Sequence, residues 1–103
     1  MHIRDWPEGE RPREKLLARG AGSLSEAELL AIFLGSGTAG RDAVASARDL
    51  LAAEGGLRLL LDREPKALTR LRGIGPARAC SLAAALELGH RHLAAPLERG
   101  AML

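Results

Sequence analysis

The nine residues Leu71-Arg72-Gly73-Ile74-Gly75-Pro76-Ala77-Arg78-Ala79 leave the backbone few choices. Two glycines flank one apolar residue, so two positions can take positive φ, or lie close to another group, without a Cβ in the way. Pro76 suits the first position of a helix, where its missing N–H would have been unpaired in any case. Gly75 then serves as the N-cap, and the amides of Ala77 and Arg78 point out of the helix start without partners. The stretch predicts a very short turn between two helices. Free donors and the positive end of a helix dipole also make such a turn a natural anion site.

Composition points the same way. Hydrophobic residues make up 47% of the chain but aromatics only 2%, with no Tyr, one Trp and one Phe. The core must be built from Leu, Ala, Ile and Val, which favours close helix packing over a β-sandwich. At 103 residues the chain is one domain with a modest core. The expected fold is all-α, a compact bundle of about five helices. Residues 1–10 read as an irregular N-terminal arm, with Trp6-Pro7 as a packing anchor. Residues 11–95 read as the helical domain and 96–103 as a tail or linker.

Along the chain, Pro12 opens a helix to about Arg19 with Leu16 and Leu17 inward, and Gly20 and Gly22 stop it. Ser25 and Glu28 fit a capping box, and Leu24 and Leu29 are placed for a hydrophobic staple. The helix they open, Glu26 to Leu34, is apolar all round from Leu29, so it is expected to be central and buried. Gly35-Ser36-Gly37 breaks it, and Asp42 caps the next, from Ala43 to Glu54. No Lys-Ser/Thr pair closes that glycine loop and no strand precedes it, so it is not a nucleotide cradle. Gly55-Gly56 end this helix, and Leu57 to Leu61 form a short buried turn. Asp62 or Glu64 caps a helix opened by Pro65, with Leu68 and Leu71 inward. After the glycine turn a long helix runs from Pro76 to about Leu93, with Ala79, Leu82, Ala83 and Leu86 as its buried stripe. The expected core comprises Leu29, Leu30, Phe33, Leu50, Leu51, Leu68, Ile74, Leu82 and Leu86.

Charge is unevenly distributed. Residues 1–64 hold nine Lys/Arg against eleven Asp/Glu, and residues 65–103 hold six against two. Between Pro65 and Leu86 stand Lys66, Arg70, Arg72 and Arg78, with no acid among them. A basic excess centred on a glycine turn is the footprint of a small phosphate-binding surface. The lone cysteine, Cys80, cannot form an internal disulfide and reads as a small buried core thiol. It fits a reducing cytoplasm, as does an N-terminus without an apolar signal core. No apolar run approaches the ~20 residues of a membrane span.

The pattern of Leu71, Gly73, Ile74, Gly75 and Ala79 resembles the helix-hairpin-helix motif of DNA-repair and recombination proteins. The resemblance implies hairpin amides holding a backbone phosphate without reading bases, with Ile74 as the apolar tip between two helices. An ordinary tight turn between packed helices is the alternative. Helix–Gly35-Ser36-Gly37–helix echoes the same architecture, which raises a degenerate tandem of two such units.

The likeness runs further. Asp5-Trp6-Pro7, Arg11 to Leu17, Leu24 to Ile32, Gly55 to Arg58 and Gly73 to Ala77 together resemble the N-terminal domain of the bacterial RadC family, also called UPF0758. Members are similar to two-part proteins, a helical domain followed by a JAB/MPN-type metal-dependent hydrolase, and were named for DNA repair. The hydrolase motif is missing here. His90-Arg91-His92 offers the spacing only superficially, since it lies on a predicted helix, where positions two apart diverge, and Ala94-Ala95-Pro96 follows. Neither a metal nor another cofactor is expected, and no nucleophile–base pair stands out. The first loop departs from the family in lacking basic residues beyond Arg41.

The resulting expectation is a non-enzymatic, sequence-independent DNA-binding module. Its binding residues are Arg72, Gly73, Ile74, Gly75, Ala77 and Arg78, with Lys66 and Arg70 adding longer-range attraction. The runner-up is a protein-interaction or dimerisation domain that positions a C-terminal hydrolase.

Overall fold

Helix starts written into the sequence set the architecture, which the computed structural model describes for residues 11–34 and 42–96. Pro12 occupies the first turn of α1, Pro12–Arg19. Gly20, at φ 87°, ends it and leads through a single 3₁₀ turn, Ala21–Ser23. The capping box then forms on both sides. The Ser25 amide donates to Glu28 Oε1 at 2.8 Å and the Glu28 amide donates to Ser25 Oγ at 3.1 Å. Two donors that would otherwise be orphaned at the helix start are thereby satisfied. The helix they open is α2, Glu26–Leu34.

Helix α3, Ala43–Glu54, begins where Asp42 Oδ1 accepts from the Ala45 amide at 2.7 Å. It ends in a Schellman arrangement, in which Gly55 takes φ 86° and the Gly56 amide reaches back to Leu51 O at 2.9 Å. Three helices complete the set: α4, Leu57–Leu61; α5, Pro65–Leu68; and α6, Gly75–Ala94. No strand occurs among the described residues, and the fold is all-α. None of these helices is long and apolar enough to cross a membrane.

Helix α2 is the hub. It packs most extensively on α3, and also against α1 and α6, while α5 leans on α6. The core gathers Ala27, Leu30, Ala31 and Leu34 from α2 with Ala43, Val44 and Ala47 from α3. Leu60, Leu68, Ile74, Ala79 and Leu82 close it from the other side, and Phe33, Leu50, Leu51, Leu61 and Leu71 pack around its rim half-buried. Alanine at so many contact positions lets helix axes approach closely.

Several expectations need correction. Helix α2 is central, but Leu29 is 36% exposed. The helices packed on α2 thus leave part of that flank open. Leu24, its proposed staple partner, is buried. Leu17 points outward, being 84% exposed, because only one side of the two-turn α1 can face α2. Leu86 is also exposed, along with every residue from Ala84 to Pro96. Cys80 is exposed rather than buried, since it lies off the Ala79–Leu82 stripe. The side chains of Asp62 and Glu64 cap nothing: Asp62 sits at the C-terminus of α4, and Glu64 precedes α5 without a side-chain bond. The first glycine loop, including Arg41, the N-terminal arm with Trp6 and the tail beyond Pro96 lie outside the described residues.

Candidate functional site

The segment from α5 into α6 carries the predicted binding residues. Pro65 starts α5, which lasts only four residues. The chain then crosses residues 69–74 in consecutive tight turns, with amide-to-carbonyl bonds from Arg70 to Ala67, Leu71 to Leu68 and Ile74 to Leu71. Thr69 Oγ1 donates to Lys66 O at 2.6 Å and closes the end of α5. The link is therefore longer than the turn read from the sequence, and its first helical arm is shorter.

Both glycines behave as their chemistry predicts. Gly73 takes φ 88° and Gly75 takes φ 69°, a region that side-chain-bearing residues rarely enter. Between them Ile74 is driven inward, 4% exposed, into the same core as Leu68 and Ala79. This inward tip holds the glycine backbone at the surface. Hydrogen bonding runs helical from Gly75, with Ile74 rather than Gly75 in the capping position. The positive φ of Gly75 nevertheless means that the right-handed turn starts at Pro76, and a one-residue difference of this kind is usual at helix ends.

The cations divide into two kinds. Lys66, Arg70 and Arg72 are exposed, and among the described residues no carboxylate pairs with any of them. Arg78 is half-buried, and its Nη1 donates to Gly73 O at 3.0 Å. That bond ties the first turn of α6 back to the glycine turn, a structural duty the sequence reading did not give Arg78. The spacing offers a signal for it, since Arg78 stands one helical turn past a turn whose carbonyl needs a donor. Ala77 is exposed beside it, and its amide belongs to the helix start, whose first N–H groups lack intrahelical partners. The Ile74 amide is committed to Leu71 O, so Gly73, Gly75 and Ala77 are the backbone donors left to consider.

His90 and His92 both lie exposed on α6. Among the described residues no group of three or more His, Cys, Asp or Glu side chains is arranged to hold a metal ion.

An all-α domain with a buried-tip glycine turn opening its longest helix is the class that fold and site define. The family model described as UPF0758 N-terminal matches residues 3–80, and the chain belongs to that family. A UPF0758 protein of Xanthomonas oryzae pv. oryzae (strain PXO99A) is 71% identical over all 103 residues, which make up 46% of that relative's length. A UPF0758 protein of Stenotrophomonas maltophilia (strain R551-3) is 69% identical over 100 residues, covering 97% of this chain and 43% of the relative. The chain thus spans a little under half the length of the curated relatives it matches. No solved structure matches it.

Proposed function

We propose that this domain is a non-enzymatic, sequence-independent DNA-binding module of a RadC-like, DNA-repair-related protein. The amides of Gly73, Gly75 and Ala77 clasp one backbone phosphate, and Arg72 contacts its neighbour. Lys66 and Arg70 add attraction at longer range. Arg78 contributes field and holds the turn in shape through Gly73 O. The observation that carries the reading is three exposed cations without carboxylate partners around two positive-φ glycines at the start of a 20-residue helix. Backbone donors with a cationic rim bind phosphate and read no base edges, so the module discriminates little between sequences.

Two or three neutralised phosphates give a slope of log affinity against log salt of about −2 to −3, and a dissociation constant of order 10⁻⁴ to 10⁻⁶ M near physiological salt. Labelled duplex and single-stranded DNA titrated at about 50 and about 200 mM salt measure both quantities. Arg72→Glu is the decisive variant, because Arg72 is exposed and makes no contact the fold uses. It should weaken binding at low salt and reduce the salt slope by about one unit. Retention of wild-type DNA affinity by folded Arg72→Glu protein would leave the turn a purely structural device. Arg78→Glu is a poorer test, since it also breaks the bond to Gly73 O.

A further inference from the structure

Helix α2 carries more apolar surface than its neighbours use. Its sequence is apolar without a break from Leu29 to Leu34, while its fully buried residues are only Ala27, Leu30, Ala31 and Leu34. Leu29, Ile32 and Phe33 stand three and four residues apart, so they share one flank beside the core face. Leu29 is 36% exposed, and Ile32 and Phe33 are half-buried. With α1, α3 and α6 packed on α2, this flank remains incompletely covered. Three large apolar side chains in a row are costly to leave in contact with water.

We propose that the N-terminal segment, residues 1–10, docks on this flank and seats Trp6 against Leu29 and Phe33. Position selects the occupant. Arg13 Nη2 donates to Ile32 O at 3.4 Å and Pro12 is buried, so the start of α1 lies beside the last turn of α2. The segment therefore joins the domain next to Ile32, at one end of the flank. Trp6 stands before Arg11 at a reach of at most about 18 Å, whereas Leu29 and Ile32 are only about 5 Å apart along their helix. Chemistry selects it too. Ile3 and Trp6 are large and apolar, and an aromatic side chain of this kind buries about 150–250 Å². Residues 35–41, which follow α2 directly, read Gly-Ser-Gly-Thr-Ala-Gly-Arg and hold no large apolar side chain. The tail beyond Pro96 starts from the far end of α6, whose Ala94 is about 18 Å past Leu82. The family model begins at residue 3, so it takes in Trp6 together with the helix that Trp6 covers.

Trp6 is the one tryptophan of the chain, so its fluorescence reads the proposal directly. In the full 103-residue chain its emission should lie blue of free tryptophan's and resist acrylamide quenching at every protein concentration. Leu29→Asp should shift the emission red and steepen the quenching, with helix content by circular dichroism unchanged. Leu59→Asp, at a residue 61% exposed on α4, is the control and should leave the emission where it was. Wild-type emission already at the position of free tryptophan overturns the proposal. So does a folded Leu29→Asp protein with wild-type emission, and so does an equal red shift in Leu59→Asp, because each puts Trp6 elsewhere. A blue shift that vanishes on dilution makes the segment of a second copy the occupant and overturns the proposal as well. If Leu29→Asp does not fold, NMR of the wild type decides. The Trp6 indole protons should show nuclear Overhauser contacts to Leu29 and Phe33, and their absence overturns the proposal.

Discussion

Glu28 caps one helix and ties it to another. Its Oε1 accepts from the Ser25 amide, and its Oε2 takes the Lys15 ammonium at 3.1 Å, joining α1 to the start of α2. The bond from the Ser25 amide, opposed by partial burial and assisted by Lys15, lowers its pKa from the ordinary 4.5. A carboxylate with a lowered folded pKa favours the folded state above its unfolded value, and that contribution is lost as pH falls through the folded one. Stability should therefore decline below about pH 4.5, more steeply in the wild type than in Glu28→Gln. At neutral pH that variant should cost about 1 kcal/mol, the scale of a helix cap with a partly screened ion pair. Urea melts of both proteins at pH 7 and pH 3.5 measure the difference. Identical pH dependence in the two would show that the capping box carries no linked charge.

At the scale of elements, the chain's glycines do different work in different places. Gly55 ends α3 at φ 86°, and a Cβ built there would stand 2.9 Å from Leu59 Cδ1. Leu59 is 61% exposed and can swing that methyl aside, so Gly55→Ala is left mainly with backbone strain and should destabilise by about 1 kcal/mol. At Gly75 a Cβ would meet nothing within 4 Å, so φ 69° is the whole difficulty. Gly75→Ala should cost about 1 kcal/mol and leave the surface open to a phosphate. Thermal melts of the two variants should show losses of similar size. If Gly75→Ala proves costlier than Gly55→Ala, the turn is more constrained than its open surroundings imply. The elements also show how far turn chemistry reaches: Pro12, Ser25 and Asp42 place their helices as read, whereas Asp62 and Glu64 do not cap. A residue competent to cap acts only if the following amides turn toward it.

For the molecule as a whole, the small core makes burial decisive. Leu60 is fully buried on α4, while Leu59, its neighbour, is 61% exposed. Leu60→Ala should cost about 2–5 kcal/mol, and Leu59→Ala should lie within about 0.5 kcal/mol of wild type. Leu30→Ala, in the central helix, belongs with Leu60, at about 2–5 kcal/mol. Chemical denaturation of the three variants tests whether α4 belongs to one cooperative unit with α2. A Leu60→Ala protein as stable as wild type would mean that α4 frays independently of the core.

Local chemistry decided much of this protein. Capping residues, proline positions and paired glycines act over three or four residues, so the starts of α1, α2 and α3 and the positive-φ turn at Gly73 and Gly75 were legible in the amino acids alone. The placing of Ile74 in the core came from the likeness of the turn to a helix-hairpin-helix tip. Tertiary structure decided which apolar faces found neighbours. Leu82 and Leu86 lie on the same stripe of α6, yet Leu82 is buried whereas Leu86 is 36% exposed. Leu17, Leu29 and Cys80 were misplaced for related reasons. Periodicity reports which side of a helix is apolar, but only the arrangement of its neighbours fixes how much of that side is buried. The two fates of the basic residues were likewise settled in three dimensions. Spacing places Arg78 one helical turn past the glycines, but only the folded turn carries the Gly73 carbonyl within 3.0 Å of its guanidinium and leaves Arg72 in solvent.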